Sequence, residues 1–200
     1  MNQVQERNRL LDIFNAHHPS TIEKPILRYI SEKVDLGGIV LDVGSGYGLF
    51  GYLIKLLEPH VVTVAIDVKE GFLRRIRDAD SYSHYVKATA ERLPIRSVIH
   101  LSLMTEVIEH LGKEDGLNAI KDLKRISEHV IITTPENGRI IGNHLSSYVA
   151  QDFDRQGFKT IKIPYHDIPR SLIPLYKVRC FLFKCGTGNV LISTYCVEES

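Results

Sequence analysis

The segment 40-VLDVGSGYG-48 joins a short apolar run to three glycines, Gly44, Gly46 and Gly48. A helical pattern of apolar residues, 49–57, follows at once. Glycines between a buried strand and a helix let the backbone approach a ligand where a side chain would block it. The free N–H groups at the start of that helix favour a carboxylate or a phosphate. The segment therefore predicts a ligand-binding loop, and the glycines alone do not select the ligand.

Asp42 narrows the choice of ligand. Residues 46–51 match the GxGxxG fingerprint of NAD-binding folds. However, a carboxylate at the end of the first strand would repel a pyrophosphate, whereas an amino-acid moiety brings an ammonium group to pair with it. No Gly-Lys-Ser/Thr follows, so a phosphate loop of the NTPase kind is excluded. Asp67 lies 23 residues beyond Gly44, close to the offset of about 20 at which an acid holds ribose hydroxyls, and is predicted as the second anchor.

Short β-branched runs alternate with helical stretches on both sides of this loop. Such alternation predicts βαβ units, and the nearly continuous apolar strands predict a parallel sheet that is buried on both faces. The predicted strands are 39–43, 61–67, 85–88, 98–104 and 129–133, and the predicted helices are 49–57, 70–79, 114–127 and 146–156.

Two further regions flank the alternating pattern. Residues 1–36 indicate two helices separated at 17-HHPS-20, and we expect them to form a lid over a core that spans residues 37–200. Residues 158–163 and 190–197 predict a sixth and a seventh strand. Between these strands, residues 168–185 fit either a helix or the first arm of a hairpin, and the pattern leaves both open.

The composition of the chain limits the number of domains, the charged partners and the location that we expect. A chain of 200 residues with 44% hydrophobic content is typical of one domain with a single core. The net charge of +1 gives no overall field that would attract nucleic acid or a membrane surface. Three cysteines without a CxxC pair, and no apolar run of about 18 residues, favour a cytoplasmic protein that does not span a membrane.

Five segments, in order along the chain, resemble motifs of the class I S-adenosylmethionine-dependent methyltransferases. The segment 40-VLDVGSGYG-48 is similar to motif I, and 65-AIDV-68 is similar to motif II. The segment 88-ATAERLP-94 resembles the stretch along the adenine, 103-LMTEVIEHL-111 resembles motif IV with the helix after it, and 131-IITTPEN-137 resembles the end of strand five. The likeness runs from about residue 39 to residue 158. These motifs are specific to the fold and the cofactor, not to the methyl acceptor.

The resemblance implies a Rossmann-like α/β fold, with helices on both faces of a mostly parallel seven-stranded sheet whose last strand is antiparallel. It also implies S-adenosylmethionine as the methyl donor and S-adenosylhomocysteine as the product. The predicted cofactor-binding residues are Asp42, Gly44, Ser45, Gly46 and Gly48 around the methionine moiety, Asp67 on the ribose, Val68, Ala90 and Glu91 around the adenine, and Thr105 beside the sulfonium.

The sequence departs from the family pattern at two places. Thr89 stands where relatives usually carry an acid that hydrogen-bonds the adenine amino group, which puts that bond in doubt. Ile99-His100 replaces the usual Phe-Asp that leads into strand four. We expect the first departure to weaken cofactor binding and the second to alter only the entry of the strand.

Glu106, Glu109 and His110 have the spacing that places three side chains on one face of a helix, and His144 lies downstream. A similar ExxEH grouping binds a divalent ion in ubiquinone-pathway O-methyltransferases and, with a further histidine, in small-RNA 2′-O-methyltransferases. Comparable segments also occur in methyltransferases without a metal, where the glutamates cap a helix. We therefore leave the metal open and assign no metal ligand from the sequence.

The sequence thus predicts an enzyme that moves a methyl group from S-adenosylmethionine to an oxygen, nitrogen or carbon acceptor. A small-molecule acceptor is preferred because the net charge is near zero, and RNA is the second choice because of the ExxEH grouping. No catalytic residue is assigned, since methyl transfer requires chiefly proximity and orientation. The alternatives are an NAD(P)-dependent oxidoreductase and a non-catalytic binding module that retains the fold.

Overall fold

The computed structural model describes residues 23–138, 140, 142–164 and 189–197. Two predictions lie outside the described residues. They are the first of the two N-terminal helices with the break at 17-HHPS-20, and the choice between helix and hairpin for residues 168–185.

The strands of the described residues form one seven-stranded sheet in the order β3-β2-β1-β4-β5-β7-β6. Neighbouring strands are parallel except that β7 runs antiparallel to both β5 and β6. This arrangement confirms the predicted fold class. The strand bounds are β1 Ile39–Val43, β2 Val62–Asp67, β3 His84–Lys87, β4 Ile99–Thr105, β5 Ser127–Pro135, β6 Lys159–Pro164 and β7 Asn189–Cys196.

Five α-helices and one 3₁₀ turn are described around this sheet. The turn is Ile108–His110, and the helices are α1 Glu23–Lys33, α2 Leu49–Leu57, α3 Glu70–Asp78, α4 Lys113–Ile126 and α5 Ala150–Asp154. None of these helices combines the length and the apolar composition that a membrane span requires.

The helix predicted over 146–156 is wrong in its first turn. Tyr148 forms an isolated parallel bridge with Glu136, and its carbonyl accepts the N–H of Asn137 at 2.9 Å. Val149 is also extended, and its N–H donates to the Asp152 carboxylate at 3.0 Å. The helix therefore begins only at Ala150, because the preceding residues pair with the segment that follows β5.

Two apolar layers cover the two faces of the sheet. One layer joins the sheet to α1 and α2, and the other joins it to α4 and α5. Within β1, Val40 belongs to the first layer, whereas Leu41 and Val43 belong to the second. Because side chains alternate along a strand, Asp42 projects to the same face as Val40, towards α2.

Helix α1 presents a fully apolar face to the sheet. Ile26, Leu27 and Ile30 are at most 2% exposed, whereas Arg28 and Glu32 on the outer face form an ion pair at 2.9 Å. Burying three such side chains contributes roughly 5 to 9 kcal/mol of transfer free energy. Helix α1 is therefore docked on the core, and the lid role of residues 1–36 stays a prediction.

Candidate functional site

The glycine loop after β1 is held down on the end of the neighbouring strand. The carbonyl oxygen of Ile66 in β2 accepts the N–H groups of both Gly44 and Ser45, at 2.8 and 3.0 Å. The N–H of Gly48 donates back to Ser45 O at 2.8 Å, which closes a turn. The loop thus lies over the carboxyl ends of β1 and β2, where ligands bind in open α/β sheets.

The three glycines of this loop have different physical roles. All have positive φ, between 50° and 81°. A Cβ at Gly44 would lie 2.2 Å from Val107 Cγ2, and a Cβ at Gly48 would lie 2.8 Å from Ile76 Cγ2. A Cβ at Gly46 would meet nothing closer than Gly44 O at 3.9 Å. Gly44 and Gly48 are therefore required by packing as well as by conformation, and Gly46 by conformation alone.

Asp67 ends β2 and anchors two backbone groups. Its Oδ2 accepts the N–H of Gly46 at 3.0 Å, and its Oδ1 accepts the N–H of Lys69 at 2.7 Å. Each carboxylate oxygen has two lone pairs, so both oxygens keep capacity for a further donor. The Asp67 side chain is largely buried and lines the cavity described next. The free lone pairs of its carboxylate oxygens can therefore accept hydrogen bonds from a ligand in that cavity.

A cavity of about 490 Å³ opens at the carboxyl ends of β1, β2 and β4. Its volume lies in the range of small-molecule and cofactor sites, roughly 300 to 1,000 Å³. Six of the predicted cofactor residues line it, namely Gly44, Gly46, Asp67, Val68, Ala90 and Glu91, together with Lys69, Phe72, Thr89, Glu106, Val107, His110, Leu111 and Asn143 among others. The four predicted residues that do not line it are Asp42, Ser45, Gly48 and Thr105.

Asp42 lies beneath the glycine loop and is 2% exposed. Its Oδ2 accepts a hydrogen bond from the Tyr82 hydroxyl, and its Oδ1 has no hydrogen-bond partner among the described residues. The pKa of Asp42 is raised to about 6, because burial and the charge of Asp67 raise it by more than the bond from Tyr82 lowers it. A buried carboxylate with one unsatisfied oxygen is costly unless a cation or a donor reaches it.

Two carboxylates, one half-buried and one buried, lie on the other side of the cavity, where β4 ends. Glu106 adopts a left-handed conformation with φ 54°, and its Oε1 accepts the Thr133 hydroxyl at 3.0 Å. Glu109 is 2% exposed, and its Oε2 accepts the Thr134 hydroxyl at 3.2 Å. Burial raises the pKa of both carboxyl groups, and the charge of Glu109 adds to the rise at Glu106. A strained non-glycine residue in a cavity wall is a frequent mark of a functional site.

The prediction that Glu106, Glu109 and His110 share one face of a helix is wrong. Glu106 lies at the end of β4 outside any helix, and Glu109 and His110 occupy the 3₁₀ turn. The turn nevertheless brings Glu109 and His110 close to His144, with one ligand atom of each side chain within 4.8 Å of the others. The carbonyl of Glu109 accepts the N–H groups of Leu145 and Ser146, which holds the segment of His144 in place.

Tyr82 and Phe72 are the residues of this region that sequence patterns did not select. Phe72 lies on α3, in the helix that follows β2, and lines the cavity. Tyr82 follows α3 in a short loop and is 2% exposed. An apolar residue at helical spacing after motif II is a local signal that could have indicated Phe72. The contact of Tyr82 with Asp42 spans 40 residues and has no local signal.

Strand order reverses between β1 and β4, and the glycine loop, Asp67 and the cavity all lie at that reversal. Ligands of open α/β sheets bind at this switch point, so the fold and the site define an open α/β protein with a ligand-sized cavity at the switch point.

Comparison with known proteins makes this class more specific. Residues 41–129 match the family model of a methyltransferase domain. A comparison with curated proteins found no match. The fold is similar to that of the N-methyltransferase NodS from Bradyrhizobium japonicum WM9, with a TM-score of 0.62 at 11% identity over 94% of this chain and 98% of that chain.

Two further solved structures share the fold. A chain in the complex between the Haloferax volcanii Trm112 methyltransferase activator and the putative methyltransferase has a TM-score of 0.66 at 13% identity, over 100% of this chain and 99% of that chain. The small RNA methyltransferase HEN1 has a TM-score of 0.58 at 12% identity, over 90% of this chain and 26% of that chain. Residues 41–129 thus match a methyltransferase domain, and the chain has the fold of class I methyltransferases, as its motifs predicted.

Proposed function

We propose that the chain is an enzyme that transfers the methyl group of S-adenosylmethionine to an acceptor by direct displacement. An acceptor atom forms a bond to the methyl carbon, the carbon–sulfur bond breaks, and the sulfur keeps its electron pair in S-adenosylhomocysteine. The family supports this chemistry in general. The observation that carries the proposal is the cavity at the switch point, bordered on one side by the glycine loop and Asp67 and on the other by Glu106.

The ten predicted cofactor residues enter this proposal in two groups. Those that line the cavity would contact the cofactor directly, with Asp67 accepting the ribose hydroxyls on its remaining lone pairs. Val68, Ala90 and Glu91 would border the adenine, where the Thr89 hydroxyl also lies. The residues that do not line the cavity, Asp42, Ser45, Gly48 and Thr105, would act by shaping its floor and the loop, and Asp42 would reach the ammonium group directly or through a water.

A small molecule is our proposed acceptor. The cavity wall beyond the loop includes Glu106, Val107, His110, Leu111 and Asn143, so it combines two apolar side chains with one acid, one histidine and one amide. Among the described lining residues Lys69 is the one lysine or arginine, and it lies next to the ribose anchor Asp67. A polyanion such as RNA is held chiefly by lysine and arginine, so this wall favours a neutral or cationic acceptor. A cytoplasmic location remains part of the proposal.

A second candidate is methylation of a hydroxyl group, such as a ribose hydroxyl of RNA, with the help of a divalent cation. The cluster of Glu109, His110 and His144 favours it, because one carboxylate and two imidazoles form a donor set that suits manganese or zinc. Glu106 adds a second carboxylate close to Glu109. A cation held there would act as a Lewis acid and lower the pKa of a bound hydroxyl.

The cofactor assignment predicts that S-adenosylhomocysteine binds and that NADH does not. Isothermal titration calorimetry of the purified chain with each compound measures this directly. Binding of NADH without any response to S-adenosylhomocysteine would support the oxidoreductase alternative and contradict our proposal. Binding of S-adenosylhomocysteine without methyl transfer to any fraction of a cell extract would favour the non-catalytic module.

The cation candidate predicts that Mn²⁺ raises the melting temperature of the wild-type chain and not that of His144→Ala. A ligand that binds only the folded state stabilises it by about 2.7 kcal/mol at a concentration of 100 Kd. His84→Ala is the matched control, since His84 is exposed on β3, far along the chain from the cluster. An equal shift in all three proteins, or in none, would end this candidate.

A further inference from the structure

The Tyr82 hydroxyl joins the two ends of the glycine loop. It accepts a hydrogen bond from the N–H of Gly51 at 3.0 Å, in the first turn of α2. It donates its own proton to Asp42 Oδ2, in β1. Asp42 precedes the loop and Gly51 follows it, so a single hydroxyl connects the strand, the loop and the helix from below.

We infer that Tyr82 is a positioning residue of the cofactor site: it fixes the Asp42 carboxylate so that Oδ1 stays unpaired beneath the glycine loop, where the ammonium group of the methyl donor reaches it directly or through a water. The inference rests on the proposed function and deepens it. It assigns a role to a residue outside all of the family-like motifs.

The packing around Tyr82 determines where its hydroxyl lies. A Cβ at Gly51 would come within 2.3 to 2.5 Å of three atoms of the Tyr82 ring, so the ring lies directly against the backbone of α2. The backbone of Tyr82 is held as well, because the Tyr85 hydroxyl donates to Tyr82 O at 2.8 Å and accepts the Tyr82 N–H at 3.2 Å. Neither the ring nor its backbone can move without disturbing the helix that carries the loop.

Both hydrogen bonds of the Tyr82 hydroxyl are donated in the same direction, from the helix towards the carboxylate. The Gly51 N–H donates to Tyr82, and Tyr82 donates to Asp42. The first N–H groups of a helix have no partner within it and carry the positive end of its dipole. Gly48, at the N-cap of α2, offers no side chain to satisfy them, and Tyr82 satisfies the one at Gly51. Bonds in such a chain polarise one another, which strengthens the donation to Asp42.

The charge of Asp42 depends on this donation. The titratable groups that face its carboxyl group are Tyr82 and Asp67, and Tyr85 contacts Tyr82. Burial, and to a lesser extent the charge of Asp67, raises the pKa of Asp42, the Tyr82 bond lowers it, and together they place it at about 6. Burial and the nearby charge of Asp42 raise the pKa of Tyr82 above its usual value, so the phenol stays protonated and continues to donate.

The affinity for the cofactor is expected to depend on pH through the charge of Asp42. The ammonium group pairs with the charged carboxylate, so the affinity for the cofactor falls as the pH drops through the pKa of Asp42. Removing the Tyr82 hydroxyl takes away a bond to the charged form, and the pKa of Asp42 then rises. The loss of affinity therefore begins at a higher pH in a Tyr82→Phe variant.

The test is the affinity for S-adenosylhomocysteine as a function of pH, measured by calorimetry on the whole chain. We expect Tyr82→Phe to bind about tenfold more weakly than the wild type at neutral pH, with the midpoint of the pH dependence moved upward. Tyr52→Phe is the matched control, because it removes the hydroxyl of an exposed tyrosine on α2 and leaves the hydrogen bonds of Tyr82 and Asp42 intact. Its midpoint is expected to equal that of the wild type.

Asp42→Asn completes a double-mutant cycle. In that background the carboxylate is gone, so adding Tyr82→Phe should change the affinity less than about twofold and leave no midpoint to move. Thermal melts of each variant at the same pH values show which proteins are folded, and Asp42→Asn alone should remove the pH dependence of the wild type. The inference is overturned if Tyr82→Phe is folded and keeps both the affinity and the midpoint of the wild type. Failure of the wild type itself to bind would instead overturn the proposed function on which the inference rests.

Discussion

An Asp67→Ala variant is expected to bind S-adenosylhomocysteine at least about 100-fold more weakly than the wild type, because a hydrogen bond to a charged group contributes about 1.5 to 3 kcal/mol. Two effects add at this position. The ribose hydroxyls lose their proposed acceptor, and the N–H groups of Gly46 and Lys69 lose the partners that they have at 3.0 and 2.7 Å. The loop would therefore be mispositioned even before the ligand enters.

Calorimetry with S-adenosylhomocysteine measures this effect, and two further variants interpret it. Asp78→Ala removes an exposed acid at the end of α3 and should leave the affinity unchanged. Asp67→Asn keeps an acceptor oxygen and should fall between the alanine variant and the wild type. An affinity of Asp67→Ala within a factor of about three of the wild type, or about 0.65 kcal/mol, would remove this residue from the site.

A Gly44→Ala variant is expected to lose both cofactor affinity and stability. Its φ of 77° is unfavourable for alanine by roughly 1 to 2 kcal/mol. The added Cβ would also lie 2.2 Å from Val107 Cγ2. Relief of such a contact shifts the backbone at a cost of typically 1 to 3 kcal/mol, and here the backbone that shifts is the ligand-binding loop. We expect a lower melting temperature and a loss of affinity of about tenfold or more. A tenfold loss requires the binding free energy to become only about 1.4 kcal/mol less favourable.

Gly142→Ala separates the two causes. Gly142 also has a positive φ, 66°, and a Cβ there would meet nothing within 4 Å. This control carries the conformational strain without the contact, so it should lose a little stability and no affinity. Combining Gly44→Ala with Val107→Ala removes the obstructing methyl groups and should restore part of the binding. Equal affinity for Gly44→Ala and Gly142→Ala would show that the contact with Val107 has no role in the site.

The sequence was sufficient to predict those parts of the molecule in which a local pattern determines the structure. The strands from Ile39 to Val43 and the helix from Leu49 to Leu57 agree with the predicted bounds, because an apolar run followed by glycines has few alternatives. The sixth and seventh strands were also predicted, although the pairing of β7 with β5 and of β6 with β7 depends on residues far apart in the chain. Asp67 was found from its spacing to the loop, and its position in the cavity wall agrees with a ribose-binding role.

Long-range contacts account for what the sequence could not provide. The side chain of Asp42 was predicted to contact the ligand, yet it is buried and accepts a hydrogen bond from Tyr82, which lies 40 residues away. The spacing of Glu106, Glu109 and His110 suggests a helix, but the turn after β4 instead pairs Glu106 with Thr133 of the neighbouring strand. His144 approaches the same turn because backbone N–H groups near it donate to Glu109. None of these pairings leaves a periodic trace in the sequence.

The attachment of the glycine loop to β2 also bears on the thermodynamics of binding. Three consecutive N–H groups of the loop, those of Gly44, Ser45 and Gly46, already donate to Ile66 and Asp67. A loop that is ordered in advance gives up little conformational entropy when a ligand arrives. The glycine loop is in this sense preorganised. Differences in affinity between ligands should therefore reflect the fit and the rigidity of each ligand, because the entropy cost of ordering this loop is small for all of them.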